Sequence, residues 1–438
     1  MSSPSTSAPA RLPAALWGVL VLLVASVSIN YIDRGNLSIA APLLKDELGI
    51  SPAQLGILLS SFFWTYSVFQ IVSGWLVDRF DVNWVIAAGF LVWSVATAAT
   101  GLIQGFAMLI VFRLLLGMGE SVAYPCYSKI LAGHFAEHQR GFANSLTDAG
   151  TKCGPALGIL AGGLLMARFG WRIVFVVLGL VSLLWLPLWY KWMPRGQGAA
   201  VKNSGEVPGI ADILRRRAAW ATFGGHFCGN YLWYFLLTWL PFYLVRERHF
   251  SMSQMASMGS LAYVVSAVAT MAAGWLSDRA IAAGVAPTRV RKTCTGFGLG
   301  FATIIIGVTV LPNRTASMIL LLLACMSYGI FSSSHWAITQ TLAGPLAAGK
   351  WSGLQKFVAN LAGVAASAIT GFVVNATGRF FGAFAVCAGV ALSGAMIYTF
   401  CLGAVEPVNW CEYDAGLLSP AGLPIHGLRG WASAPRRK

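Results

Sequence analysis

Charge is scarce in this sequence. Asp, Glu, Lys and Arg make up 10% of the residues and hydrophobic types 57%, whereas soluble domains carry about 25% charged residues. A soluble fold of 438 residues built this way would lack the polar side chains to cover its surface, so that class is excluded. Paired cysteines are also missing. The eight Cys stand singly, mostly inside apolar segments, without a CxxC, and read as small core residues rather than disulfides or metal ligands. No HExxH, GxSxG or GxxxxGK[ST] occurs, which leaves zinc hydrolysis, nucleophile-elbow chemistry and nucleotide-driven transport without support. Neither a metal nor a cofactor is expected. The net charge of +15 suggests nucleic acid at first sight, but basic residues of apolar chains gather in cytoplasmic loops, and no nucleic-acid partner is expected.

What is present is a series of long apolar runs, and a helix needs about 20 apolar residues to cross a bilayer. Candidate spans fall near 15–42, 52–76, 83–104, 106–131, 142–167 and 172–193, then near 218–245, 253–277, 292–311, 316–344, 352–377 and 380–403. The pattern predicts an all-α membrane protein with twelve transmembrane helices in two pseudo-symmetric six-helix bundles. Residues 1–13 read as a disordered tail, 14–194 and 218–403 as the bundles, 195–217 as a cytoplasmic linker and 404–438 as a cytoplasmic tail. No small-residue cleavage site follows the first run, so it reads as a retained anchor. Nineteen of the thirty Lys and Arg fall on the side that holds both termini and the linker. The opposite loops hold seven, Lys45, Arg168, Arg172, Arg246, Arg248, Arg314 and Arg379. Both termini are therefore expected in the cytoplasm, with the chain a multi-pass protein of the cell (inner) membrane.

Two hexamers mark an internal repeat. Gly74-Trp75-Leu76-Val77-Asp78-Arg79 follows the second span and Gly274-Trp275-Leu276-Ser277-Asp278-Arg279 follows the eighth. Related halves of this kind describe a transporter whose two bundles rock around a site at the midplane. Here the chain resembles the major facilitator superfamily, whose cytoplasmic loop motif reads roughly G-x-L-x-D-R-x-G-R-R. Both copies keep the Gly-x-Leu-x-Asp-Arg part, and the resemblance implies a gating role for Gly74, Asp78, Arg79, Gly274, Asp278 and Arg279. Asp81 and Asn83 depart from the motif in the first copy. In the second the basic residues are delayed to Arg289, Arg291 and Lys292.

Seven ionisable groups fall within the spans: Asp33, Arg34, Arg113, Glu120, Asp148, Lys152 and Lys356. Each costs about 2.5–3.5 kcal/mol at a helix centre, together roughly 20 kcal/mol, so functional use is the default inference. Asn30, Asp33 and Arg34 share one face of the first helix. Arg113, Gly117, Glu120 and Tyr124 form a stripe on the fourth. Asp148 and Lys152 are an i, i+4 pair on the fifth, with Thr151 beside them. Lys356 and Asn360 repeat that spacing on the eleventh, next to Gln355, and Tyr66 and Gln70 do so on the second. His226 on the seventh span reads either as a proton relay or as a core or cytoplasm-facing histidine, and His335 and Trp336, with Gln340 near them, are candidates for the cavity wall on the tenth.

The segments Asn30-Tyr31-Ile32-Asp33-Arg34-Gly35-Asn36-Leu37, Arg113-Leu114-Leu115-Leu116-Gly117-Met118-Gly119-Glu120 and Thr238-Trp239-Leu240-Pro241-Phe242-Tyr243-Leu244 are similar to the anion:cation symporter family within the superfamily. That group includes galactonate, glucarate, hexuronate and sialic acid carriers. The resemblance implies proton coupling at Asp33 and Glu120, with Arg113 as their counter-ion. It implies carboxylate binding by Arg34 and sugar-acid contacts from Tyr31 and Tyr66. The chemistry fits, because burial disfavours a charged carboxylate while a nearby guanidinium favours it, and an anion that captures the guanidinium links the two equilibria. Lys356, Asp148 and Lys152 depart from the family pattern. The lysines either serve a dianion or a differently shaped acid, or Lys356 snorkels to an interface.

The expected function is proton-coupled symport of a small organic anion, a sugar acid or other carboxylate, by a monomer in a lipid bilayer, and the protein is not expected to be an enzyme. An exchanger or exporter of the same fold stays open because Gly150, Gly154-Pro155, Gly158 and Gly162 partly match an antiporter motif; the same spacing also reads as a ridge for close helix packing. An integral-membrane enzyme or receptor is the remaining alternative.

Overall fold

The computed structural model describes residues 13–135, 137–194 and 208–410. Most of both tails and linker residues 195–207 lie outside them. Twelve helical rods fill the described chain, which contains no strand. The first half comprises α1 (Ala14–Leu48), α2 (Pro52–Arg79), α3 (Val82–Thr100) and α4 (Phe106–Ser121, continued as Ala123–His134). It is completed by α5 (Glu137–Leu157, Gly158–Gly162 and Gly163–Phe169) and α6 (Trp171–Ser182, continued as Trp185–Trp192). After a short turn at Ile210–Leu214 come α7 (Arg217–Arg246), α8 (Met252–Ala282) and α9 (Pro287–Ala302, extended to Val310). The last rods are α10 (Arg314–Gly344), α11 (Ala347–Thr377) and α12 (Phe381–Met396, extended to Cys401).

Ten of these rods are long and apolar enough to cross a bilayer by composition alone. The other two, α5 and α7, carry polar residues that face the chamber described below, including Thr151 and Lys152 on α5 and His226 and Asn230 on α7. Between α10 and α11 the chain turns at Gly344, whose φ of 61° a residue with a Cβ rarely adopts.

The repeat seen in the hexamers extends to the helix caps. Ser51 accepts from the Gln54 amide at 3.2 Å while Gln54 Oε1 accepts from the Ser51 amide at 2.8 Å. Ser251 and Gln254 do the same at the start of α8, at 3.2 and 3.1 Å. Each reciprocal cap satisfies two orphan amides, and such a cap is worth about 1 kcal/mol. At the other ends of α2 and α8, the Arg79 guanidinium lies 5.7 Å from the Trp75 ring and that of Arg279 lies 3.9 Å from Trp275.

Small residues set how closely the rods approach. A Cβ on Gly154 would sit 2.7 Å from the Ser28 carbonyl oxygen and 2.8 Å from Tyr31 Cβ, so α5 presses directly on α1 at the level of Tyr31. The four-residue glycine spacing is thus a packing ridge, the small-residue device expected where lipid supplies no hydrophobic drive for association. The residue after Gly154, Pro155, cannot donate to the Thr151 carbonyl, and one turn on the helix relaxes into a π turn at Gly158–Gly162. The two halves meet at the end distal to the termini. There a Cβ on Gly56 would lie 2.9 Å from Gly371 Cα, and Arg246 on α7 pairs with Asp46 on α1. At the end nearer the termini, a Cβ on Gly74 would meet nothing within 4 Å.

Overpacking a close helix contact costs about 1–3 kcal/mol. Gly154→Val is therefore expected to lower the melting temperature in detergent, whereas Gly162→Ala, whose Cβ finds its nearest neighbours at 3.5 Å, leaves it unchanged. Equal melting temperatures for wild type and Gly154→Val would contradict this packing.

Candidate functional site

The first-half charges form one buried cluster. On α4, a Cβ on Gly117 would lie 2.3 Å from the Phe62 carbonyl oxygen, and the Thr65 hydroxyl donates to Leu114 O at 2.8 Å. This contact draws α4 against α2 and carries Glu120 inward. Arg34 Nε then donates to Glu120 Oε2 at 2.7 Å, with both side chains all but fully buried. The Arg34 guanidinium is wrapped by rings: Tyr66 at 4.3 Å, Tyr31 at 4.8 Å and Phe62 at 5.0 Å. Cation–π contacts of this kind are worth about 2 kcal/mol when desolvated. Asp33 Oδ1 accepts from Asn36 Nδ2 at 3.3 Å. Asp33 Oδ2, Glu120 Oε1 and Arg34 Nη2 have no hydrogen-bond partner among the described residues. Arg113, expected as the counter-ion, is buried in the same cluster and forms no ion pair with a described carboxylate. The direct partner of Glu120 is Arg34.

Beside this cluster a cavity of about 90 Å³ opens between the halves. Two cations face it. Lys152 on α5 donates to Ser332 Oγ on α10 at 3.2 Å and lies 5.9 Å from the Trp233 ring. Lys356 on α11 sits 3.4 Å from the centroid of Tyr124 on α4. The Tyr124 hydroxyl donates to that of Tyr31 at 3.3 Å. Asn360 accepts from Tyr234 at 3.0 Å and donates to Gln70 across the interface at 3.4 Å.

Among the residues read from sequence as substrate-binding, Tyr31, Thr151, Lys152, Trp336, Lys356 and Asn360 line this cavity. Arg34 and Tyr66 do not, nor do Asp33, Glu120 and Arg113; the Arg34 guanidinium packs on Tyr31, which does line it. Gln355 is also withdrawn: its amide donates to His226 Nδ1 at 3.1 Å and its carbonyl oxygen accepts from Thr339 at 2.7 Å. It orients His226, whose ring packs 4.6 Å from His335 and 5.0 Å from Trp336. The side chains of Asp148 and Asp78 lie outside the described residues. Asp278 pairs with Arg291 at 2.9 Å, one of the delayed basic residues of the second hexamer. Sequence reasoning missed Asn230, Tyr234, Tyr328 and Ser332. The signal was there, since His226, Asn230 and Tyr234 recur every four residues on α7, as do Tyr328, Ser332 and Trp336 on α10.

Residues 23–367 match the family model described as Major Facilitator Superfamily. The chain belongs to the Major Facilitator Superfamily. Within it, the chain is 31% identical to the hexuronate transporter of Bacillus subtilis (strain 168), over 85% of this chain and 91% of that protein. It is 28% identical to the D-galactonate transporter of Escherichia coli O6:H1, over 89% and 96%. These relatives support the likeness to the superfamily's anion:cation symporters. A crystal structure of a bacterial homolog to the human lysosomal transporter Spinster superposes with a TM-score of 0.72 at 18% identity, covering 90% of this chain and 96% of that one. At that identity the likeness speaks for the fold alone. This superfamily member is an integral membrane transporter and not an enzyme.

The chamber geometry is checked by thiol labelling in a variant whose eight native cysteines are replaced. Asn230→Cys should react readily with a hydrophilic methanethiosulfonate, and Gln355→Cys slowly. The reverse order would contradict the placement of Gln355 behind His226.

Proposed function

We propose that this transporter is a proton-coupled symporter that imports a small organic anion, a sugar acid or related carboxylate, by alternating access. The observation that carries the reading is the buried Arg34–Glu120 pair, whose guanidinium packs on Tyr31, a ring that also lines a chamber holding two lysines. Hexuronate and D-galactonate transport in the named relatives supports the substrate class. The chamber is complete within one chain, and we take the monomer as the working unit. The loop charges support a cell (inner) membrane orientation with both termini in the cytoplasm. In that orientation the conformation described here, joined at the far end by Asp46–Arg246 and open at Gly74, faces inward.

The mechanism follows from what Arg34 can bind. While Glu120 is ionised it holds the guanidinium through a charge-assisted bond. A proton on Glu120 weakens that bond and releases the guanidinium for a carboxylate, which it can take bidentately. The substrate anion in turn removes the cation that favours ionised Glu120, so proton and anion promote each other's binding by the same factor. Asp33 supplies a second carboxylate with an unpartnered oxygen for a proton, and Arg113 keeps the cluster near neutrality when both carboxylates are ionised. Gly74, Asp78 and Arg79, with Gly274, Asp278 and Arg279, lie at the ends of α2 and α8 that must meet when the inward opening closes.

Proteoliposome transport tests this. An inward proton gradient should drive anion accumulation by the wild type. Asp33→Asn and Glu120→Gln should abolish accumulation while retaining counterflow exchange. Full accumulation by both variants removes these carboxylates from the coupling role, and a wild type that moves anion only against internal substrate is an exchanger.

A further inference from the structure

Away from the charged cluster, one polar chain runs from the core of the second half to the chamber wall. It starts at Thr339 on α10, whose hydroxyl donates to Gln355 Oε1 at 2.7 Å. That bond fixes the Gln355 amide, so its nitrogen, which can only donate, faces His226 Nδ1 at 3.1 Å. Nδ1 therefore accepts, and the imidazole proton sits on Nε2. The next member is Asn230, one turn further along α7 and hydrogen-bonded to His226. Asn230 Nδ2 donates to the Ala359 carbonyl on α11 at 3.3 Å, which leaves Oδ1 to accept the Nε2 proton. Thr339, Gln355 and His226 are buried, where a mismatched donor or acceptor costs the most, so reversing one member forces the next to reverse. His335, whose ring lies 4.6 Å from that of His226, is held the other way. Its Nδ1 faces the Ser332 carbonyl at 3.1 Å, which only accepts, so there Nδ1 carries the proton.

His226 and Asn230 line the chamber, and Gln355 does not. With its Oδ1 turned to His226, the polar group that Asn230 has left for a ligand is its second Nδ2–H. For an anion, the difference between that N–H and a carbonyl oxygen is attraction against repulsion. We propose that Gln355 is a positioning residue that holds His226 as the Nε2–H tautomer and, through it, aims an Asn230 N–H at an acceptor oxygen of the transported anion. A ring that accepts at Nδ1 and donates at Nε2 has no lone pair left for a proton, so His226 orients its neighbour and does not relay. The inference rests on the transport reading above for its ligand, whereas the tautomers are a property of the chain itself.

Nitrogen NMR of the full chain, labelled at histidine and reconstituted in liposomes near neutral pH, reads the tautomers directly. The two signals are assigned by their loss in His226→Gln and His335→Gln. His226 should carry its proton on Nε2 and His335 on Nδ1. Gln355→Glu places an oxygen opposite His226 Nδ1 and should move the proton there, while the His335 signal stays. Gln355→Met, which removes the amide and keeps the length, should leave His226 a mixture of tautomers. In proteoliposomes, D-galacturonate uptake by Gln355→Glu should show a KM raised about tenfold or more with kcat little changed, as expected for losing a hydrogen bond to a charged ligand. A wild-type His226 protonated on Nδ1, or a His226 signal indifferent to Gln355→Glu, overturns the positioning role. An unchanged KM in a variant whose tautomer has switched overturns the link to the ligand. Failure of the wild type to take up D-galacturonate counts against the substrate class of the transport reading, while the tautomers still decide the role of Gln355.

Discussion

A guanidinium in a low-dielectric interior needs a counter-charge, and here Arg34 finds it in Glu120 at 2.7 Å. Removing one partner of a buried ion pair typically costs about 3–5 kcal/mol, because the survivor is left charged and dry. The packing around the pair serves that constraint. Gly117 lets α4 close on α2, and Gly154 lets α5 close on α1 at Tyr31. Tyr31, Phe62 and Tyr66 then enclose the guanidinium. A pair this costly to leave unmatched is also a sensitive one: adding a proton or an anion changes which partner Arg34 prefers.

The halves share a construction as well as a topology. Glu47 accepts from Trp171 Nε1 at 2.6 Å at the start of α6, and Glu247 accepts from the Phe380 amide at 3.3 Å at the start of α12. The Asp46–Arg246 pair joins the ends of α1 and α7, equivalent positions in the two halves. The two glutamate contacts hold each bundle as a unit, whereas the Asp46–Arg246 pair crosses between the bundles and must break when the distal end opens. Alternating access in repeat-built transporters uses that division.

Much of this was legible in the sequence. Twelve helical rods, ten of them long and apolar enough to cross a bilayer, the repeated hexamers and the glycine ridge each appear in the fold, and the in-membrane charges lie on the helices where their spacing put them. Helical spacing tells which residues share a face; it does not tell the azimuth of that face against its neighbours. Arg34 is therefore expected to face the chamber, yet long-range packing turns it toward Glu120 and onto the Tyr31 and Tyr66 rings. Gln355 shares a helix with Lys356, one residue away, and so points about a quarter-turn aside, into the core against His226. Arg246 read as one more loop charge, because nothing local announces a partner 200 residues upstream.

The central claim is that anion and proton act on one buried charged cluster. Its most direct test is proton uptake on ligand binding, followed with a pH indicator in weakly buffered detergent solution near neutral pH. The organic acid that most raises the melting temperature is the ligand to add. The account predicts that saturating ligand withdraws protons from solution with wild-type protein and not with a Glu120→Gln, Asp33→Asn double variant that still binds. Saturable binding to the wild type without proton uptake would contradict it.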